Sequence, residues 1–212
     1  MRDQGLWYAL PILTGSKVRL EPLAVEHAES YLAAAGTGAE AAEIFRWLTP
    51  PNGTLAEPVT IDDARGHILT ALAARASGSR LPYAQFDVAT DRFIGTTSFY
   101  EIDPVSRSIA IGYTWLARSC WGTGHNVESK LLLLTFAFDV LDAVRVVWHT
   151  DIRNERSQAA IARLGAQREG VLRKHRLRRD GSWRDTVQFA MTDDDWVSAR
   201  PALEARLAAP RK

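Results

Sequence analysis

Residues 119–130 read SCWGTGHNVESK, and the apolar run LLLL follows directly. Gly122 and Gly124 stand two apart, between a β-like apolar run and a long helical one. A phosphate needs several backbone N–H groups converging on one point, with no side chain in the way. A glycine-rich turn that opens a helix supplies both, and the helix dipole adds to the pull. Trp121, Gly122, Thr123, Gly124, His125 and Asn126 are placed to do this. The alternative is a plain tight turn between a strand and a helix. The stretch is neither of two familiar nucleotide loops: it lacks G-x-x-x-x-G-K-[ST] and has no third glycine to complete G-x-G-x-x-G. His125 either adds positive charge beside a phosphate or is a partly exposed loop residue. Cys120, the one cysteine, has no evident base beside it and is not read as a nucleophile.

Two further groups could carry chemistry. Asn154 and Ser157 form N-x-x-S, which is also ordinary helix-start chemistry, with Asn as N-cap and Ser three residues on. Seven cations between Arg168 and Arg184 face only Glu169 and Asp180. They form either a solvated hairpin face or a platform for an acidic acceptor or an acidic acyl group such as succinyl. Trp183 on the same segment either stacks a substrate or packs over the core.

These residues need elements to hold them. KVRLEPL (17–23) alternates with period two and predicts a strand. Val25 to Ala35 and Asp62 to Ala76 predict helices, the second capped by Thr60 with Asp62 and Asp63 at its positive end. Between them, 36–60 reads as a helix fragment, IFRWL, within Gly- and Pro-rich loop. Residues 81–89, 92–100 and 108–116 predict three strands joined by short turns, hence an antiparallel meander. After the glycine loop, Val127, Leu131, Leu134, Phe138 and Leu141 make one apolar stripe on a helix over about 126–141. A strand (144–151), a short helix (154–165) with Gly165 as its cap, and a hairpin of 166–177 and 183–191 about Asp180-Gly181 complete the order. The unit from 108 to 151 calls for parallel strands across a right-handed crossover. The sum is one mixed α/β, α+β-like domain over 1–212, with its core at about 17–196.

The order of elements, with IGYTW, WGTGHNVESKLLLL, HTDIRNERSQAAIARLGA and REGVLR, resembles the GNAT acyltransferase superfamily, and more closely its RimJ/RimL-type branch, from about Lys17 to Trp196. The resemblance implies a central, mostly antiparallel mixed sheet of about seven strands flanked by helices, with two central parallel strands splayed apart. It implies an acetyl-CoA-dependent transferase that passes the acetyl group directly to a primary amine through a tetrahedral intermediate. The glycine loop would bind the pyrophosphate of CoA, and the pantetheine arm would lie between 108–116 and 144–151. Backbone N–H near Trp115 and Leu116 would hold the carbonyl. The segment 44–60, with Phe45, Trp47 and Pro51, lies where the family's acceptor-binding elements vary and would shape acceptor choice. Asn154 would contact the pantetheine arm, and Ser157 would sit near the thiol sulfur and stabilise or protonate the leaving thiolate. One departure is Ser119, where the family loop carries Gln or Arg; Arg118, one residue earlier, either reaches the phosphates by another route or is solvated. A second is Ala110, where relatives carry a carboxylate general base. Glu101, Asp103, Glu169, His175 and Tyr113 are substitutes, and an amine with a near-neutral pKa could lose its proton to water instead.

Composition sets outer limits. Net charge is +1 over 212 residues, which gives no general pull toward nucleic acid or membrane. One cysteine excludes an intramolecular disulfide or a cysteine-built metal site and suits a reducing compartment such as the cytoplasm. No metal is implied. MRDQGLWYALPIL lacks a small-residue cleavage pattern and is not read as a signal peptide. The run from Leu131 meets Asp139 too soon to span a bilayer. Expected partners are therefore acetyl-CoA or CoA, an acceptor amine that is a peptide N-terminus or a small molecule, and a second copy as a possible homodimer. Two other functions stay open: transfer of a larger acyl group such as succinyl, and binding of acyl-CoA without turnover.

Overall fold

A computed structural model describes residues 4–48 and 56–209. Pro51 therefore lies outside the described residues. The strands are β1 (Leu13–Thr14), β2 (Val18–Pro22), β3 (Arg80–Asp87), β4 (Phe93–Asp103), β5 (Ser108–Leu116), β6 (Arg145–Asp151), β7 (Gln167–Leu177) and β8 (Trp183–Thr192). They form one sheet in the order β1-β2-β3-β4-β5-β6-β8-β7. Every neighbouring pair is antiparallel except β5 and β6. Among the described residues the sheet has eight strands rather than about seven. The extra one, β1, is two residues long and offers no alternation to read.

Helices α1 (Ala28–Ala35), α2 (Gly38–Phe45) and α3 (Ile61–Ala76) contact strands on one side; α4 (His125–Thr135), α5 (Glu155–Ala162) and α6 (Asp193–Ala208) pair with others. Thr60 starts α3 as expected, accepting from Asp63 N at 3.1 Å, while Asp63 accepts from Thr60 N at 2.8 Å. Thr192 and Asp195 repeat that reciprocal cap on α6. Strand alternation divides the core. Leu116 joins Leu20, Phe99, Leu133, Leu134 and Trp196 in the larger cluster. Trp115, its neighbour, joins Tyr31, Phe45, Ile68 and Phe93 in the smaller one. Among the described residues no helix is long and apolar enough to cross a membrane.

Two local predictions shift. The long helix is α-helical only to Thr135, and Phe136–Val140 is a π-turn. The wider turn stacks Phe138 on Trp196, with ring centres 5.4 Å apart, and places Asp139 2.9 Å from the Trp196 indole N–H. Gly165 lies two residues beyond Arg163, the cap of α5.

Two features of β5 position the site. Its pairing with β6 covers only Ser108, Ile109 and Ala110, opposite Arg145, Val146 and Val147. Beyond that the two strands run on without a ladder, so a gap opens in the sheet. On its other edge β5 bulges: Tyr113 and Thr114 stand against the single residue Thr97 of β4. Tyr113 takes up the kink with φ +52°.

Candidate active site

A cavity of about 550 Å³ runs from the glycine loop through the β5–β6 gap to the face covered by α1–α3. At the loop end, Gly122, Gly124, Asn126, Trp121 and Cys120 line it. Gly124 is the N-cap of α4 with φ +94°, a left-handed conformation that costs an L side chain about 1–2 kcal/mol. The first turn of any helix leaves N–H groups without intrahelical acceptors, and here the cap residue has no side chain to satisfy them. Among the described residues, the amides from Gly122 to Val127 find no acceptor outside the helix. The loop is thus a set of free donors at the positive end of a helix.

Not all the expected loop residues take that part. The Trp121 amide donates to Arg118 O at 3.1 Å and its indole N–H to Leu116 O at 2.9 Å, so only the ring faces the cavity. The His125 ring is locked in place: its Nε2 lies 2.7 Å from Oδ2 of the Asp87 carboxylate, and its Nδ1 lies 2.5 Å from Thr123 Oγ1. His125 is neither a free phosphate ligand nor a loosely exposed residue: its side chain is 12% exposed. It and Thr123 brace the loop. Arg118 lies over the Trp121 ring at 4.2 Å and meets Glu43 at 3.4 Å. Arg156, which the sequence did not single out, lies over the same ring at 3.5 Å. Burial pushes the Cys120 thiol up, which suits an inert residue.

α4 is held by a buried carboxylate. Glu128 accepts from Ser16 N (3.0 Å), Ser16 Oγ (2.6 Å), Lys17 N (2.6 Å) and Val18 N (2.7 Å). Burial alone would raise its pKa, but the four donors outweigh that and leave it lowered. Two residues on, Lys130 Nζ reaches Thr97 Oγ1 and Thr114 Oγ1, each at 3.1 Å, beneath the β5 bulge. Burial pushes its pKa down to about 7.

In the gap, alternation decides which strand amide is available. Ala117 N donates to Ile94 O at 2.8 Å, so Ala117 and Trp115 turn their backbone groups toward β4. Leu116, between them, turns its N–H toward the gap. Of the two expected carbonyl holders, Leu116 is the one so placed; Trp115 contributes its ring to the smaller core. Asn154 caps α5, its Oδ1 accepting from Ser157 N at 3.0 Å. Ser157 lines the cavity, and among the described residues its hydroxyl has no partner. Asn126 Oδ1 and Trp148 Nε1 are buried, border the cavity and find no protein partner. Free amides at a glycine turn, with an unmatched acceptor and donor along an apolar channel, fit a ligand with phosphates at one end and amides along its length, as in coenzyme A.

At the far end the cavity reaches Tyr100, Tyr113 and His149. The ring of Tyr100 rests on Gly112, where an added Cβ would come within 2.7 Å of it. The bonds assign the proton positions. Gln188 Nε2 donates to Glu169 Oε2 at 2.9 Å, which leaves Gln188 Oε1 to accept from His149 Nε2 at 3.2 Å. His149 Nδ1 then carries the lone pair and accepts from the Tyr100 hydroxyl at 2.9 Å. The outcome for the proposed substitutes for Ala110 follows. Glu169 is tied to Arg145 and Gln188, which hold its pKa down to about 2. Asp103 accepts from Val105 N and Ser106 N within its own turn. His175 is exposed and only touches His149, ring to ring at 6.0 Å. Glu101 lies 3.7 Å from His149 Nδ1. Tyr113 lines the cavity under Arg80. His149 and Tyr100 were missed because they sit on different strands and share no sequence motif. His67 also lines the cavity, but burial pushes it down to about 4.

The hairpin cations are not a simple solvated face. Arg178 grips Asp151 with Nε at 2.6 Å and Nη2 at 2.9 Å. Arg179 donates to Phe45 O at 2.8 Å. Arg176 and Arg184 line the cavity. Trp183 is exposed and does not pack over the core.

Comparison with known proteins agrees with this geometry. The family described as Acetyltransferase (GNAT) domain matches residues 17–167. YdaF of Bacillus subtilis (strain 168), named as a ribosomal N-acetyltransferase, is 32% identical over 102 residues, 48% of this chain and 55% of that protein. The [Ribosomal protein uS5]-alanine N-acetyltransferase of Escherichia coli (strain K12) is 28% identical over 124 residues, 58% of this chain and 63% of that protein. The chain thus aligns with just over half the length of these curated relatives. A crystal structure of a GCN5-related N-acetyltransferase from Brucella melitensis superposes with TM-score 0.86 at 29% identity, covering 94% of this chain and 86% of that one. With the splayed strands and the glycine loop in place, the chain belongs to the GNAT family of acetyltransferases.

Proposed function

We propose that this protein moves an acetyl group from acetyl-CoA to a primary amine, either a protein N-terminus or a small molecule. The observation that carries the reading is the continuous cavity, which joins free loop amides to the Tyr100–His149 pair through the gap in the sheet. In this reading the loop amides of Gly122 to Asn126 hold the pyrophosphate. The Leu116 N–H stabilises the oxyanion, a role in which one well-placed donor is worth about 3–4 kcal/mol. Ser157 donates to the leaving thiolate. The amine proton passes to Tyr100 and His149, which take the place of the carboxylate missing at Ala110. The names of the E. coli and B. subtilis relatives support a protein N-terminus as acceptor.

The test is calorimetric binding of acetyl-CoA, CoA, succinyl-CoA and dephospho-CoA, followed by mass-spectrometric detection of acetylated products from an amine panel that includes N-terminal peptides. Acetyl-CoA should bind, and Gly124→Asp, which adds strain and a negative charge beside the pyrophosphate, should weaken binding more than a hundredfold. No binding of any CoA ester would remove the proposal. Binding without turnover on any amine would leave a non-catalytic module. A preference for succinyl-CoA would move the reading to a larger acyl group.

A further inference from the structure

The cavity is positively charged at both ends. Beside the loop, Arg156 lies over Trp121, and Arg206 shares a shallow depression with Gly124. Donor phosphates account for those. At the other end Arg80, Arg176 and Arg184 line the wall. The register sets Arg80 opposite Tyr100, and Tyr100 opposite Ala110. From Ala110 to Leu116 is six residues of strand, or roughly 20 Å. A phosphate seated on the loop cannot serve this second cluster. Among the described residues the one carboxylate that lines the cavity, Asp151, is taken by Arg178, and Arg176 has Glu101 at 4.0 Å.

Arg80 is the sharpest case. Its Nε donates to Ser98 Oγ at 2.8 Å, and its guanidinium lies 3.9 Å above the centre of the Tyr113 ring. These two contacts fix the plane of the fork. Among the described residues neither terminal nitrogen has a hydrogen-bond partner, and no carboxylate lies within ion-pair distance. Burial pushes its pKa down to about 10, which still leaves it fully charged at neutral pH. A half-buried guanidinium without an ion-pair partner is costly to keep. A planar fork with two free N–H edges matches the geometry of a carboxylate or phosphate.

We propose that Arg80 is the anchor for an anionic group, a carboxylate or phosphate, that the acceptor carries close to its primary amine. The inference rests on the acetyl-transfer reading above and narrows its acceptor class. The acceptors are amino acids or acidic-ended peptides rather than simple alkylamines or polyamines. With the anion held over Tyr113, the amine is directed toward Tyr100, whose ring lies 5.3 Å from that of Tyr113, edge to face. An anion on the transferred acyl group would satisfy the same fork, so the experiment has arms for both sources.

The experiment is acetyl transfer from acetyl-CoA to matched pairs: glycine, β-alanine and γ-aminobutyrate against their amides, and peptides with Asp against Asn at the second position. Wild type should favour the acids by at least tenfold in kcat/KM at one spacing. Arg80→Gln should bring that ratio to about one, and Arg80→Lys should keep part of it. Acetyl-CoA binding, measured by calorimetry, should persist in both variants; its absence already in wild type would sink acetyl transfer itself, not this assignment. Amides used as well as acids, or a preference unchanged in Arg80→Gln, would overturn it. So would a preference for succinyl-CoA over acetyl-CoA that disappears in Arg80→Gln, since the anion would then belong to the donor. If no amine of the panel is acetylated, binding of the acids to the protein–CoA complex decides: an acid that binds no more tightly than its amide refutes the proposal.

Discussion

Replacing Glu128 with Gln tests how α4 is fixed. The carboxylate accepts four bonds, three from the backbone of residues 16–18 and one from the Ser16 hydroxyl, and the residue is 5% exposed. Gln keeps one acceptor oxygen and turns an NH₂ toward two of those donors. Room to shift is small: a Cβ at Gly15 would already lie 2.5 Å from the Glu128 carboxyl group. With the NH₂ in place of Oε2, Val18 N, buried, and Lys17 N, partly buried, are left unpaired at about 1–3 kcal/mol each, so Glu128→Gln should lose about 2–6 kcal/mol. At about 2–4 °C per kcal/mol for a chain of this size, Tm should fall by roughly 4–24 °C. Urea unfolding at pH 7, with Tm from calorimetry, measures both. The pH dependence gives a second check. The folded pKa is lowered, so the carboxylate's contribution is fully present above the unfolded value of about 4.3 and is lost as pH falls through the folded value. The gap between wild type and Glu128→Gln should therefore narrow toward pH 3. A loss below 1 kcal/mol at neutral pH, or a gap that widens with acid, would refute this account of the carboxylate.

Outcomes are expected for five further variants. Ser157→Ala should reduce kcat at least tenfold with little change in Tm or acetyl-CoA affinity, because the cap bond uses the Ser157 amide and not its hydroxyl; Asn154→Ala should cost about 1 kcal/mol in urea unfolding. His149→Gln should lower kcat, while Tyr100→Phe should reduce it less; an unchanged kcat in His149→Gln would strip the pair of its proton-transfer role. Lys130→Met should stabilise most below about pH 7. The folded lysine is depressed to about 7 by burial, so the wild-type penalty is largest at low pH and fades as pH rises toward the unfolded value of about 10.4. Thr97 and Thr114 would still bond each other at 2.9 Å. Thermal scans at pH 6 and pH 10 measure the change.

Much of the fold was legible because burial enforces period. The strand at 108–116 is bounded as its alternation predicts, and Thr60 caps α3. The two-residue β1 and the π-turn at Phe136–Val140 were not legible, since one has no periodicity and the other follows from a tertiary contact with Trp196. The glycine turn that opens α4 and the Asn154 cap of α5 were readable because helix-start chemistry is local. The contacts of Tyr100, His149 and Arg80 were not, because they form only when strands distant in sequence lie side by side. The cationic hairpin showed the same limit: its charge was plain, but Arg178 turning in to Asp151 depends on β6.

The sheet's short ladder between β5 and β6 has a mechanical meaning. Only three residue pairs join a five-stranded half, β1–β5, to a three-stranded half, β6–β8. Along the rest of that line the backbone has nothing to zip to, and a chain-like ligand lying in the gap would act as a missing rung. Its arrival should make the two halves unfold as one unit. Amide exchange at 111–116 and 148–151 would then report the joint closing, residue by residue, more directly than any change in overall shape.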